Sequence, residues 1–287
     1  MQSNNPVFRR SDEFKAGNAY GNPTYAGNGA PYQGFGEQPT YSQYGTPTHT
    51  PYGGAQADTG RMTIDSVVQS TALTLLVTIV AAAITWVVTP PVDSITGAVP
   101  SALIAASVIG SGLAFVLSMV NSFKRVISPA LVLAFAAAEG VALGAVSEYF
   151  NTYAPGVVIQ AVLGTFAAFG GTLAVYKFMN IQVGDRFRHG VMAAMWGMVG
   201  LSIMEVVLSM FGAGLGLFDS GAIGLVFAVA GLVLGVFMLI LDFDFVEQGV
   251  RNGLPRRESW RASFALLVSL VWIYTNLLRI LASLQRN

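Results

Sequence analysis

Seven stretches of this chain are too long and too apolar to be left in water. They cover residues 67–88, 102–120, 128–149, 156–178, 190–210, 221–246 and 262–284. About 20 apolar residues in a helix cross the ~30 Å hydrocarbon core of a bilayer, so each stretch is long enough to span. The runs are continuous rather than alternating, and backbone groups in lipid must pair within their own segment. Both points select helices over strands. Breakers separate the runs: Pro90-Pro91 ends the first, Pro100 precedes the second, Ser128-Pro129 opens the third and Pro155 opens the fourth. Gly212, Gly214 and Gly216 loosen the link from fifth to sixth. The expected fold is all-α, a polytopic membrane bundle of seven transmembrane helices over residues 61–287.

Composition narrows the function. Charged residues are 10% of the 287 and hydrophobic ones 53%, against about 25% charged in soluble domains. Mean hydropathy is +0.58. So few charges cannot cover a water-facing surface of this size, and the expected partner is the lipid bilayer. Lys and Arg fall in short clusters and the net charge is zero. A nucleic-acid partner therefore has no electrostatic support. The absence of Cys excludes disulfides, thiol catalysis and thiolate metal sites. His49 and His189 lie outside the apolar runs, so a serine nucleophile in a span would lack a base. An aspartyl protease needs two facing acids on separate helices, and the seventh run holds none. No enzyme is expected, and no cofactor beyond Ca²⁺ as a bound or transported ion.

Residues 1–60 differ in kind. They are rich in Gly, Pro, Asn, Gln and Tyr and cannot bury enough apolar area to offset chain entropy. A disordered cytoplasmic tail is expected, without a cleavable signal peptide, since it has no apolar core segment. Tyr20, Tyr25, Tyr32, Tyr41, Tyr44 and Tyr52 are spaced to let it bind protein partners or itself. Thr46-Pro47 and Thr50-Pro51 are weak kinase-site signals.

Loop charges set the orientation. Lys124 and Arg125 lie between runs two and three, and Lys177, Arg186 and Arg188 between four and five. Arg251, Arg256, Arg257 and Arg261 lie between six and seven. The alternate loops carry no Lys or Arg. The positive-inside rule then places the N-terminus in the cytoplasm and the C-terminus outside the cell membrane.

Polar residues inside the runs are the candidate site. Glu139 is near the middle of the third, Glu205 in the outer half of the fifth, and Asp242 and Asp244 near the inner end of the sixth. A carboxylate in hydrocarbon needs a partner, water, a cation or a proton. No Lys, Arg or His lies mid-membrane to supply one. Arg279 stands about 16 residues along the seventh run, roughly 24 Å up, within reach of Glu205 or the headgroups. Asp242 and Asp244 are about 200° apart on a helix and cannot share one proton. Asp244 and Glu247 read as a solvated helix end, with Glu247 able to pair with Arg251. Asp242 lies deeper. Asp242 and Glu139 are candidates for a proton- or cation-responsive path, although Glu139 equally fits a single carboxyl hydrogen-bonded to a neighbouring helix. Gly140/Gly144 and Gly231/Gly235 form G-x-x-x-G pairs, read either as close helix contacts or as chance.

The sixth run ends Leu-Asp242-Phe-Asp-Phe-Val-Glu-Gln-Gly249, and the seventh ends Thr-Asn276-Leu-Leu-Arg279-Ile-Leu. With Asn5-Pro6-Val7-Phe8-Arg9-Arg10 and Ile127-Ser128-Pro129 before Glu139-Gly140, the chain resembles the transmembrane Bax inhibitor motif family, in a bacterial branch with a long N-terminal tail. The resemblance implies a central seventh helix ringed by six others and a pH-sensitive calcium leak. It implies a gate formed by two aspartates, one on the sixth helix and one on the seventh. The first maps onto Asp242. At the second position this chain has Ser269, which can hydrogen-bond but cannot share a proton as an acid would. Asp242 with Ser269, joined by Glu139, is the expected ion or proton site, and Asp242 the expected Ca²⁺ ligand. The alternatives are a proton-coupled transporter using Glu139 and Asp242, and a membrane-embedded regulator acting through partners of the tail.

Overall fold

The computed structural model describes residues 60–93, 96–179, 181, 183–219 and 221–286. The expected tail lies outside the described residues, apart from its last residue, Gly60. Seven helices follow in order: α1 Ile64–Val88, α2 Ser101–Phe123, α3 Pro129–Tyr153, α4 Val157–Phe178, α5 Asp185–Met210, α6 Ala222–Arg251 and α7 Glu258–Arg286. Each is long and apolar enough to cross a membrane. The chain is a multi-pass membrane protein. Several helices outrun their apolar stretches: α5 starts at Asp185 rather than 190, and α6 continues to Arg251 rather than 246. Hydropathy ends where hydrocarbon ends, but backbone hydrogen bonding carries the helix on into the interface.

α1 shows how the sequence sets both its start and its facing. Thr63 Oγ1 accepts from Ser66 N at 3.1 Å, and Ser66 Oγ accepts from Thr63 N at 3.0 Å, a reciprocal capping box. The buried residues of this helix are Ser66, Val67, Ser70, Thr71, Thr74, Thr78 and Thr85, while Val68, Leu76 and Ile84 point outward. That is the reverse of a soluble amphipathic helix and suits a lipid surround. Ser70, Thr74, Thr78 and Thr85 are satisfied by bonding back along the helix, whereas the buried Thr71 Oγ1 has no partner among the described residues. Thr74 Oγ1 donates to Thr71 O at 2.9 Å and Thr78 Oγ1 to Thr74 O at 3.0 Å.

α3 lays its glycines on this hydroxyl face. A methyl built on Gly140 would sit 2.4 Å from Thr78 O, and one on Gly144 would sit 2.5 Å from Ala82 O. The G-x-x-x-G spacing here is a close helix contact. The second pair behaves likewise: Gly231 lies under the Asn276 side chain and Gly235 under Ile273.

α7 occupies the centre. No residue from Glu258 to Ser283 is exposed. It packs against α1, α3, α4 and α6, while α2 packs chiefly on α3 and α5 on α6. Phe135 of α3 meets Phe264 of α7 edge-on at 5.0 Å. The described chain also begins pinned to the link between α6 and α7. Met62 N donates to Leu254 O at 2.7 Å and Arg256 N to Gly60 O at 2.8 Å.

Candidate functional site

The C-terminal half of α6 is fastened to three other helices by its acids. Asp242 faces α7, where Ser269 Oγ donates to Asp242 Oδ2 at 2.5 Å. Ser269 is 1% exposed, so this pair is sealed from the surroundings on the α7 side. Asp244, two residues on, turns the other way as helical geometry requires. Its Oδ2 accepts from Arg188 Nη2 at 2.9 Å and Gln248 Nε2 at 2.7 Å. Glu247 Oε2 accepts from the Tyr176 hydroxyl of α4 at 2.6 Å, and Oε1 pairs with Arg251.

The structure corrects one expectation here. Asp244 is not a solvated terminus charge: it is 7% exposed and ion-paired to α5. The reason is the longer α5, whose added first turn brings Arg188 alongside α6. Arg188→Met is expected to lower stability by about 1 to 2 kcal/mol, because it strands a buried carboxylate while Arg188 itself is partly solvated. Thermal unfolding of the purified protein in detergent checks this; an unshifted midpoint would make the pair energetically idle.

At the opposite end, Glu205 is 3% exposed and accepts three backbone donors of the α5–α6 link. Leu215 N bonds Oε2 at 2.8 Å, while Gly216 N and Leu217 N bond Oε1 at 2.9 and 3.2 Å. Arg279 does not meet Glu205. Its Nη2 donates to Leu217 O, and its guanidinium lies 5.3 Å from the Phe218 ring centre and 5.9 Å from that of Phe227. Both residues hold the same loop, Glu205 through its amides and Arg279 through the Leu217 carbonyl. Glu205→Ala leaves three amides without their acceptor, so hydrogen exchange at Leu215 to Leu217 is expected to quicken by tenfold or more, given about 1 to 3 kcal/mol per unsatisfied buried group. Unchanged protection there would show that the loop holds its shape without the carboxylate.

Glu139 lies on the α3 row that also carries Phe135 and Leu143, which pack towards α7. It is half-buried. Among the described residues no hydrogen bond joins it to Asp242, to Ser269 or to another helix. Farther along α3, the Ser147 and Tyr274 hydroxyls are 2.6 Å apart. Glu148 was not among the sequence candidates. It is 6% exposed, and its Oε2 has no partner among the described residues. Its position at the end of an apolar run looks like any helix terminus, and nothing nearby in sequence signals its burial.

A bundle of seven spanning helices around α7, with Asp242 held to Ser269 across α6 and α7, is the geometry against which relatives can be set. A family model described as Bax inhibitor 1 like matches residues 5–286. The chain belongs to the Bax inhibitor 1 like family. No curated protein matches the sequence. The family match takes in all seven helices and reaches back to Asn5, well before α1.

Within this Bax inhibitor 1 like bundle the donor set limits what Asp242 can hold. Among the described residues no three His, Asp or Glu side chains converge as a metal cluster. Ca²⁺ takes six to eight oxygen ligands in a resident site. Asp242 and Ser269 together offer one carboxylate and one hydroxyl, fewer oxygens than such a site uses.

Proposed function

We propose that this protein is a pH-sensitive leak for cations, Ca²⁺ foremost, gated where Asp242 of α6 meets Ser269 of α7. The observation that carries the reading is the 2.5 Å Ser269–Asp242 hydrogen bond between two spanning helices. A serine hydroxyl can donate to a carboxylate or accept from a carboxylic acid. The contact therefore survives in both protonation states of Asp242, but its strength and charge do not. A charge appearing at membrane depth changes the free energy of burial by several kcal/mol, enough to move two helices relative to each other. The carboxylate and hydroxyl are hard oxygen donors, which favours Ca²⁺ over softer ions.

The basic loops occupy one end of the bundle. Arg261 of α7 donates to Arg125 O at 3.0 Å, and Arg188 reaches α6 at the same end. The positive-inside rule makes this the cytoplasmic face, with the C-terminus opposite. Ca²⁺ uptake into dye-loaded liposomes, followed across neutral pH, tests the reading. Wild type is expected to show a pH-dependent flux. Asp242→Asn, with no titratable group, is expected to lose the pH dependence. A mutant with the same pH response as wild type removes Asp242 from the gate.

A second reading rests on Glu139, a half-buried acid without a hydrogen-bond partner among the described residues, which suits a proton carrier. It makes the protein a proton-coupled exchanger. Saturable exchange that disappears in Glu139→Gln would favour it over a leak.

A further inference from the structure

Between the ends of α4 and α6, at the basic end of the bundle, lies a cavity of about 520 Å³ that Ile64 of α1 closes on one side. Its walls and its rim are chemically opposed. The walls are apolar, with Leu173, Phe243, Val246 and Val250 facing the space. The rim holds Lys177, Arg251 and Glu247. Glu247 is already matched by Tyr176 and Arg251. Lys177 is exposed, and among the described residues it has neither a hydrogen bond nor an ion pair. The rim is thus net positive, with one ammonium unused and an arginine that is 70% exposed and has donors to spare.

A free inorganic anion would satisfy the rim and leave the walls bare. A neutral apolar ligand would fill the walls and leave Lys177 unanswered. An anionic amphiphile answers both, and the cavity sits at the helix ends, where headgroups lie. We propose that it seats an anionic phospholipid, with its phosphate on Lys177 and Arg251 and an acyl chain along Leu173, Phe243 and Val246. Basic pockets between helices on the cytoplasmic side are suited to acidic headgroups, and that leaflet is the anionic one. The inference is independent of whether the bundle conducts ions. It does place the ligand against Phe243, the neighbour of Asp242, and against the arginine that holds Glu247. An occupied cavity would brace the same stretch of α6 that Asp242 belongs to.

Native mass spectrometry of the delipidated full chain in detergent tests this. The probes are dioleoylphosphatidylglycerol, dioleoylphosphatidylcholine and inorganic phosphate. The phosphatidylglycerol adduct is expected to persist to higher collision energy than the phosphatidylcholine adduct. In Lys177→Gln, phosphatidylglycerol affinity is expected to fall roughly fivefold, since a basic side chain at an anionic surface contributes about 1 kcal/mol. Lys177→Arg is expected to restore it. Arg186→Gln, on the same face but outside the cavity, is expected to leave it unchanged. Lys177 is exposed, so its substitution is not expected to impair folding. Equal retention of the neutral lipid, or undiminished affinity in Lys177→Gln, overturns the proposal. Displacement of the lipid by inorganic phosphate also overturns it, because the site would then be one for a free anion.

Discussion

Ser269→Ala is expected to raise basal Ca²⁺ flux about tenfold or more while leaving its pH dependence in place; Asp242→Asn is expected to do the reverse and flatten the pH dependence. The two substitutions separate the latch from the sensor. Ser269 gives the hydroxyl that ties α7 to α6, but it does not titrate in the neutral range. Hydrogen bonds to charged groups contribute about 1.5 to 3 kcal/mol. If passage requires α6 and α7 to part, losing that bond multiplies the open-to-closed ratio by roughly 10 to 150, since about 1.4 kcal/mol is tenfold. Asp242→Asn keeps a side chain able to bond Ser269 but removes the proton-binding group. Flux from dye-loaded liposomes at several pH values reads both. A Ser269→Ala protein with wild-type basal flux would mean that the hydrogen bond does not hold the gate. A flattened profile in Ser269→Ala would mean that the serine is needed for sensing itself. Ser269→Asp adds a second acid within bonding distance, and two carboxyls in contact titrate as a coupled pair. Its flux profile is expected to broaden into two steps rather than one.

The parts of this protein legible in its sequence are those where lipid leaves little choice. Seven helices could be read because apolar length and internal hydrogen bonding admit no other spanning structure. The opposite facing of Asp242 and Asp244 could be read because 100° per residue fixes it. Their partners were less accessible. Ser269 stood out only as a departure from the family's two-acid pattern, and the structure then set it 2.5 Å from Asp242. Arg188 was invisible as a partner for Asp244, because it sits 56 residues away in a stretch read as loop. Glu205 could not be matched with its donors, because those donors are backbone amides, which carry no sequence signature. Arg279 could not be matched with its partners, because its acceptor is a carbonyl and its nearest companions are rings. Burial of Glu148 depends on how α3 sits among its neighbours, and hydropathy along one helix does not contain that information.

A large structural loss is expected from a single methyl group at Gly140. There a Cβ would stand 2.4 Å from the Thr78 carbonyl oxygen and 2.7 Å from Ala81 Cβ. One of these neighbours is main chain and the other is a Cβ fixed to it, so neither can turn aside. α1 and α3 must move apart, and the hydroxyl face of α1 loses its close partner. Gly144 repeats the conflict one turn on, 2.5 Å from Ala82 O. At Gly231 the closest atom is as near, 2.4 Å, but it is Asn276 Oδ1, the end of a side chain that can rotate. Rotation there gives up the Asn276 Nδ2 bond to Trp272 O and little else. Overpacking costs about 1 to 3 kcal/mol and occasionally more, while Gly→Ala in a helix returns up to about 1 kcal/mol. Gly140→Ala is therefore expected to lose about 2 to 3 kcal/mol net, and Gly231→Ala about 1 or less. Unfolding midpoints in one detergent, with helix content followed by circular dichroism, should rank wild type first, Gly231→Ala next and Gly140→Ala last. The reverse order for the two variants would mean that the α1–α3 seam yields more readily than a rotating asparagine, and that the tight backbone contact is not what joins those helices.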